Sequence, residues 1–212
     1  MGPPDRSPRD MCPKRPWLLV CDQRPGLRVP ASCDSYACAV CGPRKAMATA
    51  DLVAWGAQNA GAARLFTGTL APISWQTRRQ KVRDLGRILR RRGFVWEYAW
   101  VTEPNERSGL LHVHAIQHGD NIPAPVLASI WGARVELRPV AAPEITRTAR
   151  YLVKEAWGGE DRHRTFLELN GGVALHWSRG YLPGTRRNAE RALRAERASG
   201  GEIRLTWHSE PG

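Results

Sequence analysis

The stretch SGLLHVHAIQHG, from Ser108 to Gly119, carries two histidines one residue apart within an apolar run. Alternate residues of a β-strand face the same way, so His112 and His114 would leave one face of a sheet together. The run VWEYAWVTE at 95–103 has the aromatic and β-branched content of a strand, and the residues between the two runs form a turn signal. The pattern therefore predicts a hairpin of two antiparallel strands, over 95–103 and 110–118.

Helix and strand patterns alternate around this hairpin. Helical periodicity or Ala-rich composition marks 43–60, 74–93, 123–131 and 143–157, and strand patterns mark 64–70 and 134–140. A basic stretch, RRNAERALRAER, is a further helix candidate near the C-terminus. This order predicts an α+β fold, in which helices pack on a mainly antiparallel β-sheet.

Composition and charge narrow the class of protein. The chain has 212 residues, 42% of them hydrophobic, and no apolar run approaches the roughly 20 residues that a membrane-spanning helix needs. The polar, Pro-rich start lacks a secretory signal, so we expect a cytoplasmic protein without a membrane partner. Lys and Arg number 32 against 20 Asp and Glu, a net charge of +12, which favours a polyanion such as nucleic acid as the partner.

The histidine pair and a nearby acid could form a metal site. Glu103 ends the first strand of the predicted hairpin, nine residues before His112, so its carboxylate can reach the point towards which both imidazoles face. Two imidazoles and one carboxylate leave coordination positions open for water or for phosphate oxygens, an arrangement that suits Mg²⁺ or Mn²⁺. Glu106, inside the turn, is the alternative acid. We prefer Glu103 because the strand ladder fixes its position.

The segment ARYLVKEA contains a candidate nucleophile. Tyr151 and Lys154 are three residues apart in a predicted helix, so they are neighbours on one helical face, and Arg147 lies on the same side. A free phenol has a pKa of about 10 and needs help to ionise. A metal ion on a phosphate and a nearby cation would both favour attack by the Tyr151 oxygen.

Five cysteines lie between residues 12 and 41. Their odd number and the lack of a secretory signal favour metal ligation over a disulfide framework. Cys38 and Cys41 form a C-x-x-C pair with Cys33 five residues earlier, and the fourth ligand is Cys21 or, as the alternative, Cys12. We expect a closed structural Zn²⁺ site.

Cations flank both candidate sites. Two follow the last cysteine and one precedes the tyrosine, and we expect all three to contact DNA phosphates: Arg44, Lys45 and Arg147.

These motifs together resemble the HUH endonucleases, the rolling-circle replication initiators (Rep proteins) of phages and plasmids. Family members carry an apolar β motif, a His-apolar-His motif and a Tyr-x-x-Lys motif in that order. Here LFTGTL (Leu65 to Leu70), LHVHAI and YLVK follow in the same order over residues 64–157. The stretch SCDSYACAVCGPRKA also resembles the cysteine-rich segment that precedes the catalytic domain in many members. The family's acid commonly lies about eight residues before the histidines.

The resemblance implies a ferredoxin-like HUH catalytic domain of the single-tyrosine type. In such enzymes the His pair and an acid hold a divalent metal on the scissile phosphate of single-stranded DNA at a replication origin. Tyr151 would form a 5′-phosphotyrosine and free a 3′-OH, Lys154 would assist, and a second step would rejoin the ends. The chain lacks a G-x-x-x-x-G-K-[ST] run, so a host helicase and polymerase are the implied partners, in the host cytoplasm if a phage encodes the protein.

We accordingly expect four segments. Residues 1–16 would be disordered, 17–60 a zinc-binding module with a helix, 61–180 the catalytic domain and 181–212 a basic C-terminal tail. Two other hypotheses remain open: a non-catalytic zinc-containing DNA-binding protein, and a transposase or relaxase with the same chemistry.

Overall fold

A computed structural model of the chain describes residues 12, 17–21, 28–30, 32–72, 76–105, 108–157, 159–199 and 207–211. The predicted disorder of residues 1–16 lies outside these residues, apart from Cys12, which is buried.

The described residues form eight strands and six helices. In chain order they are β1 (Trp17–Cys21), β2 (Arg28–Pro30), α1 (Cys41–Asn59), β3 (Ala63–Thr69), α2 (Arg78–Arg91), β4 (Trp96–Pro104), β5 (Leu111–Gly119), α3 (Ala124–Trp131), β6 (Val135–Val140), α4 (Ile145–Tyr151), α5 (Glu160–Leu169), β7 (His176–Trp177), α6 (Arg186–Ser199) and β8 (Trp207–Pro211).

A five-stranded antiparallel sheet forms the centre of the fold, with strand order β6-β3-β5-β4-β7. The predicted hairpin is β4 and β5, and β5 is the central strand. The expectation of an α+β fold, with helices on a mainly antiparallel sheet, is confirmed.

The sheet has an apolar core on each face. Phe66, Trp100 and Val113 belong to one core, which also contains buried residues of α2 and α3. Leu65 and Ile116 belong to the other core, which contains buried residues of α1, α4, α5 and α6. Because side chains alternate along β5, both histidines of the HxH motif face this second helical layer.

The predicted helix over 143–157 is interrupted. Helix α4 ends at Tyr151, a turn follows, and a short 3₁₀ segment covers Lys154–Trp157. Leu152 and Val153 are adjacent in sequence and both are fully buried, so tertiary packing sets the chain direction here and overrides helical propensity. The sequence pattern predicts one continuous α-helix that contains both Tyr151 and Lys154. This prediction is wrong, because the two residues belong to separate helical segments.

A second sheet joins two distant parts of the chain. Its strand order is β2-β1-β8, with Leu19 opposite Ser209 in the antiparallel pair of β1 and β8. The predicted basic helix is α6, whereas β8 and α5 show no clear pattern in the sequence. Within residues 181–212, the predicted basic C-terminal tail, the structure describes helix α6 and the paired strand β8. Among the described residues no helix is both long enough and apolar enough to cross a membrane.

Candidate functional site

Strand register brings the predicted acid and histidines together. In the antiparallel pair of β4 and β5, Glu103 lies opposite His112 and Val101 lies opposite His114. On the other side of β5, Thr67 of β3 lies opposite His114. Three neighbouring strands therefore present one carboxylate, two imidazoles and a hydroxyl on the same face, at the point where α4 and α5 cover the sheet.

His114 is held at both ring nitrogens. Its Nε2 lies 2.9 Å from Oε1 of Glu103, and its Nδ1 lies 3.1 Å from Oγ1 of Thr67. An ionised carboxylate only accepts hydrogen bonds, so Nε2 donates to Glu103, and the Thr67 hydroxyl is the partner of Nδ1. The sequence did not identify Thr67. It lies within the apolar β motif, and only the register of β3 against β5 shows its role.

Lys154 connects the acid to the tyrosine. Its ammonium donates to Oε2 of Glu103 and lies 4.1 Å from the centre of the Tyr151 ring. The cation therefore compensates the buried carboxylate and interacts with the π face of the phenol. The break after α4 does not separate the two residues, because the 3₁₀ segment returns Lys154 towards the sheet.

Tyr151 is the accessible phenol of this protein. The chain has four tyrosines, and the structure describes all of them. Tyr98 and Tyr181 are buried, and the Tyr36 hydroxyl forms a 2.6 Å hydrogen bond with that of Thr49, whereas Tyr151 is 54% exposed.

These groups line one cavity of about 600 Å³. Helix α5, which the sequence did not predict, forms its opposite wall, with Arg162 and Asp161 among the lining residues. The predicted site residues that line the cavity are Glu103, His112, His114, Tyr151 and Lys154.

The surroundings lower the pKa of the Glu103 carboxyl and that of the His112 imidazole, which favours an ionised acid and a neutral ring. Burial raises the pKa of Glu103, but the hydrogen bonds and charges of His114 and Lys154 outweigh burial, so the pKa lies below its ordinary value. Burial, and then the charge of His114, lower the pKa of His112. A carboxylate and a neutral imidazole are the forms that bind a metal ion.

The three candidate ligands fit a divalent ion in part. Adjacent ligands of an octahedral ion with bonds of about 2.1 Å lie about 3 Å apart, and the 2.9 Å between Glu103 and His114 matches this spacing. In the described part of the chain, however, only the cysteines form a group of three or more ligand atoms that all lie within 4.8 Å of one another. The imidazole of His112 must therefore turn before all three could bind one ion.

Two further residues bear on this arrangement, the alternative acid Glu106 and the third histidine, His118. Glu106 lies outside the described residues, so the choice of Glu103 over Glu106 stays a prediction. His118 is buried on the same face of β5, and its Nε2 donates to the carbonyl of Tyr181 at 2.9 Å, a structural contact.

The predicted DNA-binding cations are not among the residues that line the cavity. Arg147 is exposed and donates to Oε1 of Glu144 at 2.7 Å, and Arg44 is exposed near the start of α1. Lys45 forms an ion pair with Asp34 at 3.2 Å and lies over the ring of Tyr36. Lys45 therefore holds the cysteine-containing loop against α1.

Four cysteine sulfurs form a second cluster, with all Sγ atoms within 4.8 Å of one another: Cys12, Cys33, Cys38 and Cys41. Such a cluster could hold a metal ion such as zinc. Its fourth member is Cys12, the alternative ligand that the sequence left open. Cys21 belongs to β1, and its side chain lies outside the described residues. Twenty residues separate Cys12 from Cys33, and local spacing does not determine such a long-range contact.

The Cys33 thiol of the cysteine cluster favours its protonated form, so a cation would be needed to stabilise the thiolate. A backbone hydrogen bond at Ser35 favours the Cys33 thiolate, yet burial and the three neighbouring thiols together raise the Cys33 pKa to about 11. The first residue of α1, Cys41, donates its N–H to Sγ of Cys38 at 3.4 Å, so the helix start contributes a partial positive charge.

No family model matches the chain, and no curated protein or solved structure is significantly similar to it. Any functional conclusion therefore depends on the geometry and chemistry of the two clusters.

Proposed function

We propose that this protein is a replication initiator that nicks single-stranded origin DNA with Tyr151 and later rejoins the strand, as a single-tyrosine HUH endonuclease does. One observation carries the proposal: an exposed phenol, a lysine, a carboxylate and two imidazoles line the same cavity of about 600 Å³. These are the groups that attack on a phosphodiester requires, and three separate elements (β4, β5 and the α4–3₁₀ segment) supply them.

Two metal ions fit this proposal. Glu103, His112 and His114 would hold Mg²⁺ or Mn²⁺, which when bound supplies positive charge to the phosphate oxygens of the substrate. Cys12, Cys33, Cys38 and Cys41 would hold Zn²⁺ in a closed site, where it has a structural role.

The residues of the chain account for the nicking step. The Tyr151 oxygen loses its proton to solvent or to a neighbouring base and attacks the phosphorus of the scissile phosphodiester. A bond forms between that oxygen and phosphorus, the bond between phosphorus and the 3′ oxygen breaks, and the 3′ oxygen takes up a proton. Lys154, which contacts the Tyr151 ring, favours the developing phenolate.

The products define the biological role in this proposal. The 5′ end stays covalently bound to Tyr151, and the free 3′-OH primes synthesis by a host polymerase, with a host helicase separating the strands. In the second step a 3′-OH attacks the phosphotyrosine, which restores the phosphodiester and releases Tyr151. These partners place the activity in the cytoplasm of the host cell.

A covalent protein–DNA adduct is the test. Purified protein is incubated with Mg²⁺ or Mn²⁺ and labelled single strands that cover the origin of its own replicon, and the adduct is resolved on a denaturing gel. We expect an adduct with the wild-type protein and none with Tyr151→Phe. The matched control is Tyr36→Phe, which also removes one phenolic hydroxyl and should keep the adduct. An adduct that survives Tyr151→Phe would contradict the assignment of the nucleophile.

One observation favours a second candidate, a non-catalytic zinc-containing DNA-binding protein. Both carboxylate oxygens of Glu103 already have partners, His114 and Lys154, so the acid is compensated without a metal ion. Tight metal-independent DNA binding, with no adduct on any origin-containing strand, would support this second candidate and contradict the first.

A further inference from the structure

We infer that the solvent face of α2 is a second DNA-binding surface, which holds the phosphate backbone of duplex DNA beside the segment that enters the cavity. The inference rests on the proposed function, because it assigns the DNA that flanks the nicked strand to a place on the protein. We call this surface the arginine face, and its residues are Arg79, Arg83, Arg87, Arg90 and Arg91.

The charge of α2 has one sign. Its sequence RRQKVRDLGRILRR contains seven basic residues and one acid, Asp84. Six positions of the helix are exposed, and all of them except Gln80 are arginine. The opposite side of the helix is apolar, with Val82, Leu85 and Leu89 buried in the core beneath the sheet.

The N-terminal part of this charge pattern works against the stability of the helix. Arg79, Arg83 and Arg87 follow one another at spacings of four residues, and like charges at that spacing repel. Arg79 also lies in the first turn, where the helix dipole disfavours a cation. An ordinary solvated face mixes both signs, as in α6, where Glu190 and Glu196 accompany the arginines. The internal contacts are few, with Arg87 donating to Asp84 at 2.8 Å and Arg83 donating to Gln80 at 3.0 Å.

The arginine face begins next to the cavity. Arg78 and Arg79 donate to the carbonyls of Leu169 and Asn170, both at 3.0 Å, at the end of α5. Leu169 lines the cavity, and Asn170 accepts from the backbone N–H of Thr102, which also lines it. From Arg79 to Arg91 the helix rises about 18 Å, so the face leads away from the cavity rim as a straight row of guanidinium groups.

The chemistry of the face fits a duplex backbone better than a single strand. Proteins that bind single strands combine a groove with aromatic side chains on which bases stack. The outer face of α2 is convex, and the helix contains no aromatic residue. A rigid row of arginines suits the regularly placed phosphates of a duplex, with contacts that position the DNA and do not read its sequence.

The test compares two triple variants of the full chain that lose the same charge. One carries Arg83→Gln, Arg87→Gln and Arg90→Gln in α2, and the control carries Arg187→Gln, Arg191→Gln and Arg194→Gln at exposed positions of α6. All six positions are exposed and Gln is a good helix former, so both variants should fold. Binding is measured without added divalent ions, at several salt concentrations, to a hairpin with a duplex stem and to the single-stranded loop sequence alone.

We expect the α2 variant to lose affinity for the stem-containing DNA. The plot of the logarithm of its binding constant against the logarithm of salt concentration should become less steep by about 2.7, which is about 0.9 for each of three phosphates. For the α6 variant the plot should become less steep by less than about 1. Equal losses in both variants would show that net charge alone matters and would overturn the inference. An equal loss of affinity for the single strand would overturn the assignment to duplex DNA.

The two proposals fail separately. If the wild-type protein forms no adduct but the α2 variant loses duplex affinity, the arginine face stands without the nickase. If the adduct forms and the α2 variant binds the stem as the wild type does, only the arginine face is refuted.

Discussion

The two clusters of potential metal ligands in this protein differ in how the chain builds them. The cysteine cluster combines Cys12, which is distant in sequence from the other members, with two cysteines of a short loop and the first residue of α1. Three of its four side chains are buried. The histidine site takes its groups from the neighbouring strands of one sheet and opens onto a cavity of about 600 Å³.

Their contacts differ as well. The four sulfurs lie within 4.8 Å of one another, which matches a closed site in which the ion holds the fold together. In the histidine site, Lys154 compensates Glu103 and the ladder holds the strands in place without any ion. Under the proposed function, a metal ion at the cysteines would stabilise the protein, whereas one at the histidines would serve chemistry.

The largest effect that this comparison predicts is on stability at the cysteines. Cys41→Ser should remove bound zinc and lower the free energy of unfolding by more than about 4 kcal/mol, because loss of a structural metal leaves thiols without their shared cation. Zinc content by elemental analysis, together with chemical denaturation, measures both.

The control for this prediction also resolves the fourth ligand. Cys12→Ser should lose zinc as Cys41→Ser does, whereas Cys21→Ser should keep it. Zinc retained in Cys12→Ser and lost in Cys21→Ser would show that the cluster is wrongly assigned.

At the histidines we expect a loss of activity with little loss of stability. His114→Ala should slow adduct formation about 100-fold or more, equivalent to about 2.7 kcal/mol in the activation barrier, while zinc content stays unchanged. His118→Gln, on the same face of the same strand, should keep the rate because Gln can still donate to the Tyr181 carbonyl. Loss of zinc in His114→Ala would show that the two sites are not independent.

The sequence was informative where structure follows from local patterns. Alternation in LHVHAI indicated the face that carries both histidines, and the position of Glu103 at a strand end indicated that its carboxylate could reach the same point. The β4–β5 register, which the sequence did not specify, places Glu103 opposite His112. The α+β class followed from the same periodicities.

The remaining features depend on contacts between distant residues. Thr67 meets His114 only through the pairing of β3 with β5, 47 residues apart. Cys12 lies with cysteines that follow it by more than 20 positions in the sequence, and β8 is a strand because it pairs with β1. The break after Tyr151 reflects the burial of Leu152 and Val153, which helical propensity does not show.

A moderate effect should follow from the hydroxyl that the sequence did not identify. Thr67→Val removes the partner of His114 Nδ1 while keeping the size of the side chain, so the imidazole loses the contact that fixes its orientation. Loss of such a partner typically costs 10–100-fold, and we expect about 10-fold slower adduct formation. Thr67→Ser keeps the hydroxyl and should restore the rate. A slow Thr67→Ser variant would mean that the methyl group, through packing, is what matters.

The smallest effect concerns the ion pair of Lys154 and Glu103. In the folded protein the pKa of Glu103 lies below its ordinary value, so its contribution to stability is present above that value and is lost as the pH falls through the folded-state pKa. Lys154→Met removes a hydrogen bond and a charge that lower this pKa, while burial continues to raise it. The variant should therefore be less stable than wild type at pH 7, by about 3 °C in Tm or roughly 1 kcal/mol for a partly exposed pair.

The sign of the pH dependence distinguishes this ion pair from general packing. A Glu103 without Lys154 takes up its proton at a higher pH than in the wild type, which relieves the cost of the buried charge. The difference in Tm between the two proteins should shrink as the pH falls from about 7 towards the ordinary carboxyl pKa of about 4.3. Lys154→Arg keeps the charge and should follow the wild type. A difference in Tm that stays constant with pH would assign the loss of stability to the packing of the Lys154 side chain. The histidine site would then differ from the cysteine cluster in its geometry but not in the electrostatic compensation of its acid.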